Sequence, residues 1–165
     1  MNHKEYLESY DGQTIEELVA LESKYEAYEI VFVLELALDK KLASGKELNE
    51  TEQTVLAVQA LDREVNNGGF RQFFYNSSVN YANIAVKSFQ NIKSTEIAEL
   101  VDKSIQCLGI DLSNIDLVID RALSDEDEAL EDCFNKLDNL FYESEEYITE
   151  KLLTFVKENI SNINL

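Results

Sequence analysis

Carboxylates dominate the side chains of this 165-residue chain that could do chemistry, and many recur at intervals of three or four residues. Glu128, Glu131 and Asp132 form one such set, and Glu143, Glu146 and Glu150 form another. On a helix that spacing stands Cβ atoms about 5–6 Å apart on one face. Each row would therefore offer fixed negative charge to a basic surface. Proton-transfer chemistry is poorly supplied by comparison. The single histidine, His3, lies in an N-terminus expected to fray over residues 1–12, so Ser-His and Cys-His nucleophilic pairs have no obvious base. One histidine and two cysteines are too few for the usual zinc sets. The stretch SDEDEALED (124–132) invites a calcium reading. However, Asp125 and Asp127 lack the mid-loop glycine and spaced ligands of a calcium loop, and acids suit the positive end of a helix that begins there. Neither a metal nor a cofactor is expected.

Three further positions invite a chemical reading. Glu35 sits in the apolar run IVFVLELAL (30–38), where burial could raise its pKa and make it a general acid. A cation such as Arg63 or Arg71 would make it structural instead, and that reading is preferred. Cys133 lies on an apolar helical stripe and reads as inert core, with Cys107 similar. The third is EVNNGGFRQFFYN (64–76), which combines paired asparagines and glycines with three phenylalanines in five positions. A phosphate-cradling loop usually joins a strand to a helix, often with a lysine. Here the preceding segment is helical and no lysine follows, so a sharp corner is the better reading. Asn66 and Asn67 end one helix, and Gly68 or Gly69 takes a positive φ. A short helix then carries Phe70, Phe73 and Phe74 on one face until Asn76.

The elements that would position these residues are helical. The chain has no proline and only five glycines, so helix breakers are scarce. A pattern from Thr14 runs through Ile15, Leu18, Val19, Tyr25, Tyr28 and Phe32, with room for a break near Lys24. Asn49 and Glu52 form a capping-box pair ahead of Val55, Val58, Leu61 and Val65. Further helices are predicted around 81–90, over 94–108 with Gly109 as stop, and over 114–123. The stripe Leu130, Cys133, Phe134, Leu137, Leu140 and Phe141 predicts another. A last helix, capped by Ser144, carries Ile148, Leu152, Phe155 and Val156. The expected fold class is all-α: residues 1–165 as one compact multi-helix domain with a short aromatic helix after a Gly-Gly corner.

Charge divides the chain more sharply than hydropathy does. Acids outnumber bases 33 to 14, a net of −19. Residues 60–110 hold five of each, whereas 111–150 hold fourteen acids against Arg121 and Lys136, a net of −12. Such a field repels nucleic acid and anionic membrane and attracts basic partners. No stretch approaches the run of about 20 apolar residues that spans a bilayer. No signal-peptide pattern opens the chain, and a cytoplasmic protein is the default expectation.

The segment NNGGFRQFFYNSS resembles the Asn-Asn-Gly-Gly-Phe…Gln-Phe-Phe…Asn motif of a bacterial domain family whose best-described member is a DNA mimic. The matching positions are Asn66, Asn67, Gly68, Gly69, Phe70, Gln72, Phe73, Phe74 and Asn76, with Arg121 and the segment LDNLFYE (137–143) around them. The resemblance implies an all-helical fold and, for the described mimic, an acidic surface that occupies a transcription factor's DNA-binding site. It supplies no catalytic residues. The reading that follows is a non-enzymatic protein that binds a basic DNA-binding protein, with no direct contact to nucleic acid or membrane. The expected contact residues are Asp125, Glu126, Asp127, Glu128, Glu131, Asp132, Asp138, Glu145 and Glu146. An immunity-type inhibitor of a toxin is the runner-up, and an enzyme using Glu35 or Asn67 at the glycine corner is third. Oligomeric state is open, and a homodimer would lengthen an acidic face.

Self-repulsion in a chain of this charge should weaken as salt screens it. Circular-dichroism melts are expected to show Tm rising between low and moderate ionic strength. A flat response would contradict a concentrated charge field.

Overall fold

The computed structural model describes residues 6–124 and 127–165. Among the described residues there are eight α-helices and no strand, so the all-α class is confirmed. They are α1 (Ile15–Ala20), α2 (Ala27–Ala43), α3 (Glu50–Tyr75), α4 (Ala82–Asn91), α5 (Thr95–Leu108), α6 (Ile115–Ala122), α7 (Glu128–Glu143) and α8 (Ile148–Glu158). The chain divides into two compact units, Met1–Leu56 with Tyr147–Leu165, and Ala57–Glu146.

In the first unit, Thr14 caps α1 through a reciprocal pair with Glu17. The break near Lys24 is present: a 3-10 turn at Leu21–Ser23 and a non-helical Lys24 separate α1 from α2. Restarting at Ala27 rotates the apolar face. Ile30, Val31, Val33, Leu34 and Leu38 are buried while Tyr28 and Phe32, expected inside, are exposed. α2 packs against α8, which buries Ile148, Leu152, Leu153 and Val156. Leu153 thus takes the core position expected for Phe155. Ser144 does not cap α8; it ends α7, and Tyr147 precedes the new helix.

Buried charge in this unit is fully engaged. Glu52 has no solvent exposure, yet its carboxylate accepts from Lys41 Nζ at 2.7 Å, the Asn164 N–H at 2.8 Å and the Asn49 N–H at 3.1 Å. The last of these closes the capping box, because Asn49 accepts from the Glu52 N–H at 3.1 Å. Glu29 is likewise buried and accepts from the Leu7 N–H at 3.0 Å. That bond ties down part of the segment expected to fray. Glu35 is 7% exposed, so the apolar run does bury it.

In the second unit, α5 packs against both α4 and α7. Its stripe Ile97, Leu100, Val101 and Leu108 is buried, and Gly109 ends it in the left-handed region at φ 66°. Asn114 caps α6 by accepting from the Leu117 N–H at 3.2 Å. Two expectations for α7 need correction. Leu140 is 48% exposed rather than buried, because it falls off the face defined by Leu130, Phe134, Leu137 and Phe141. Cys107 and Cys133 are not inert core thiols but partners in a disulfide between α5 and α7, with Cα atoms 6.2 Å apart. A bond spanning 26 residues contributes about 3 kcal/mol by restricting the unfolded chain.

Removing the cation beside a buried carboxylate leaves that charge uncompensated. Lys41→Met should therefore destabilise the protein by about 3 kcal/mol, read as a drop in the urea midpoint. A midpoint within error of wild type would contradict a buried pair.

Candidate functional site

The glycine corner and α7 form one construction. α3 runs helically to Asn67 and then breaks: Gly68 is extended, at φ −165°, and Gly69 takes φ 77°, ψ −179°. Helix resumes with Phe70 and continues to Tyr75. The break strands the Phe70 N–H away from any helical acceptor, and Asp138 of α7 takes it at 2.8 Å. Around this bond α7 makes three further contacts from the same face. Tyr142 Oη donates to the Val65 carbonyl at 2.7 Å. The Phe141 ring meets Phe70 edge-on at 5.9 Å, and Phe134 stacks on Phe74 at 5.8 Å. Positions 134, 138, 141 and 142 follow helical spacing, so α7 holds the corner along one side.

The corner is filled by its own side chains. A Cβ on Gly69 would collide with the Asp138 carboxylate, and one on Gly68 with the Gln72 amide. Gln72 and Asn76 both donate to Glu64 Oε2 at 2.8 Å, which ties the short aromatic helix back to α3. Asn66 donates to the Asp62 carbonyl and carboxylate at 2.8 and 2.9 Å. Asn67 is exposed. The motif residues therefore build a tight turn rather than an anion cradle. A groove of about 590 Å³ lies elsewhere, between α4 and α5, lined by Gln90, Thr95, Glu99, Asp102, Lys103 and Gln106 among others.

Burial at the corner perturbs its acids. Desolvation raises the Asp138 carboxyl above its usual 3.8, while the Phe70 N–H pulls the other way. Burial likewise raises Asp62, opposed by Asn66 and Arg63. Tyr142 is pushed up, first by desolvation and then by the Asp138 charge.

The outer face of α7 is different in kind. Glu128, Glu131, Asp132 and Glu143 are exposed, with Asn135, Lys136 and Asn139 between them. The structure thus places three of the expected contact residues, Glu128, Glu131 and Asp132, on one solvent-facing turn. Glu145 is exposed beyond the helix end. The other candidates are already engaged. Asp127 caps α7 by accepting from the Leu130 N–H at 2.9 Å and pairs with Arg121 at 2.6 Å. Those two contacts, the backbone one first, hold its carboxyl below the usual range. Asp138 is the corner anchor, and Glu146 accepts from the Ser94 hydroxyl. Asp125 and Glu126 lie outside the described residues. The expected row of Glu143, Glu146 and Glu150 does not form on one helix, because the extended Ser144 ends α7 at Glu143.

Over residues 46–159 the chain matches the model of the DMP19-like protein family, whose name denotes DNA mimic protein 19, and it belongs to that family. The match takes in the whole corner and all of α7. No curated protein and no solved structure matches the chain. Among the described residues, no helix is long and apolar enough to cross a membrane.

Two outcomes follow from this geometry. Gly69→Ala should cost about 3 kcal/mol, because a positive φ and a collision act together, whereas Gly109→Ala, with open space around it, should cost only about 1 kcal/mol. Equal losses in urea midpoint would contradict the close approach. The raised Asp138 pKa means that folding favours the protonated acid: this contribution is complete below the unfolded value and fades as pH rises through the folded one. Asp138→Asn keeps an acceptor for Phe70 and never ionises. Its stability should match wild type in acid and gain on it toward neutral pH, and a constant offset at all pH values would contradict the shift.

Proposed function

We propose that this protein is a non-enzymatic, cytoplasmic DNA mimic that occupies the DNA-binding surface of a basic regulator or nucleoid protein. The observation that carries this reading is the two-faced α7. Its inner side is fixed by the family's own motif, and its outer side holds carboxylates in solvent at helical spacing.

Magnitudes define where the imitation is good. α7 is about 22 Å long, a length over which one DNA strand carries about six phosphates. The exposed acids of α7 number four against Lys136, so the whole helix is sparser than a strand. Its first turn is not: Glu128, Glu131 and Asp132 fall within about 6 Å of axis, where a strand places about two phosphates. The charge is concentrated at the N-terminal end, and contact should be concentrated there too. Glu145 extends the surface, and Asp125 and Glu126 adjoin it in sequence. Asp127, Asp138 and Glu146 support the surface rather than form it.

A homodimer would double this surface. Tyr28 and Phe32, exposed one turn apart on α2, are apolar residues suited to self-association. Neither nucleic acid nor membrane is a direct partner of so negative a chain. Association with a basic partner should be fast and salt-sensitive.

Affinity capture from host lysate at low salt, with and without competing duplex DNA, tests the proposal. Wild-type protein should capture a DNA-binding protein that DNA displaces. The triple variant Glu128→Gln, Glu131→Gln, Asp132→Asn should lose most of that capture, because rows of fixed charge drive it. Capture of a nuclease toxin through its active site would favour an immunity-type inhibitor. Capture that duplex DNA leaves untouched would contradict mimicry.

A further inference from the structure

We propose that Cys107 and Cys133 form a reversible thiol–disulfide site whose substrate is a dithiol reductant, and whose state sets how firmly the N-terminal half of α7 is held. The bond joins the last turn of α5 to the second turn of α7. It is the covalent tie of the half-helix that carries Glu128, Glu131 and Asp132. From Phe134 onward α7 has a separate anchor at the glycine corner, in Phe134, Asp138, Phe141 and Tyr142. Opening the bond therefore acts most on the end of α7 that precedes Phe134.

Three features make this a site of exchange rather than a sealed crosslink. Neither cysteine is fully buried, which leaves the bond open to an attacking thiolate. Each cysteine also has a lysine one helical turn away on its own helix: Lys103 four residues before Cys107, and Lys136 three residues after Cys133. Both lysines are exposed, and Lys103 also pairs loosely with Glu99 at 3.8 Å. A nearby ammonium favours a thiolate, which makes each sulfur a better leaving group. No carboxylate occupies the positions three or four residues from either cysteine within its helix, although acids outnumber bases 33 to 14 in the chain. Finally, the bond is not the whole contact between the two helices: α5 packs on α7, and Leu130, Phe134 and Leu137 of α7 and Ile97, Val101 and Leu108 of α5 are buried apolar residues.

The chemistry is ordinary exchange. A thiolate of the dithiol attacks one cysteine sulfur, the S–S bond breaks, and the other cysteine leaves as a thiolate that takes up a proton. The second thiol of the reductant then attacks the mixed disulfide and frees the first cysteine, which is protonated in turn. Two electrons pass to the protein, which ends with two thiols. The reductant ends as a cyclic or intramolecular disulfide.

The test uses the full chain, no denaturant and dithiothreitol as the probe. Thiols are counted by alkylation and mass, and amide exchange is followed along α7. The oxidised protein should show no free thiol, and dithiothreitol should expose two while helicity is retained. Exchange over residues 128–137 should then rise by about tenfold while 138–143 changes little. The variant with Cys107→Ser and Cys133→Ser should show the faster exchange whether or not reductant is present. Thiols that appear only in denaturant would overturn the proposal. So would reduction without a change over 128–137, or two free thiols that an oxidant fails to join. No partner enters the measurement, so this site stands or falls apart from the mimic reading.

Discussion

One hydrogen bond, from the Phe70 N–H to the Asp138 carboxylate, fixes where α7 lies in its unit. It exists because Gly68 and Gly69 interrupt a helix and leave that N–H without an internal acceptor. It is reachable because Gly69 has no Cβ to keep the carboxylate away. A buried N–H left unpaired costs about 1–3 kcal/mol, and a desolvated carboxylate without a donor is worse placed still. The carboxylate satisfies the N–H, and the N–H offsets part of the carboxylate's desolvation. Tyr142 on Val65, Phe141 on Phe70 and Phe134 on Phe74 then fill in around that pair.

The consequence is a helix whose two sides answer to different demands. Inner positions 134, 138 and 141 are set by the corner, so they tolerate little change. Outer positions 128, 131, 132 and 143 are exposed to solvent and are free to carry charge. Substitutions on the outer face of α7 can thus change its charge without disturbing the corner. Charge held on a helix fixed in this way is preorganised, so less freedom is lost on binding than with acids on a loose tail. Three other acids act differently: Glu52 and Glu29 are buried and hydrogen-bonded, and Asp127 starts α7.

Much of this was legible in the sequence. The corner, the capping box at Asn49 and Glu52, the stop at Gly109 and the buried stripe of α5 all follow from local chemistry. What escaped came from tertiary context. By charge alone Asp138 reads as an outward acid, although it stands four residues after Phe134 and three before Phe141, on the apolar stripe itself. An acid at that position is a sign of an inward anchor, and the stranded N–H of a Gly-Gly corner is what it answers. The disulfide was not visible, because Cys107 and Cys133 are 26 residues apart and only the packing of α5 on α7 brings them together. A continuous periodicity puts Tyr28 and Phe32 inside, because it cannot register the turn at Leu21–Ser23 that resets the helical phase. The acidic row through Glu146 and Glu150 failed for the same reason at Ser144.

The most direct measurement is an amide-exchange footprint of the protein in complex with a basic DNA-binding protein that it captures and that duplex DNA displaces. Mimicry by the outer face of α7 requires protection centred on residues 128–135, lost when duplex DNA is added. Protection confined to the groove between α4 and α5, or to α2, with α7 exchanging as in the free protein, would contradict it.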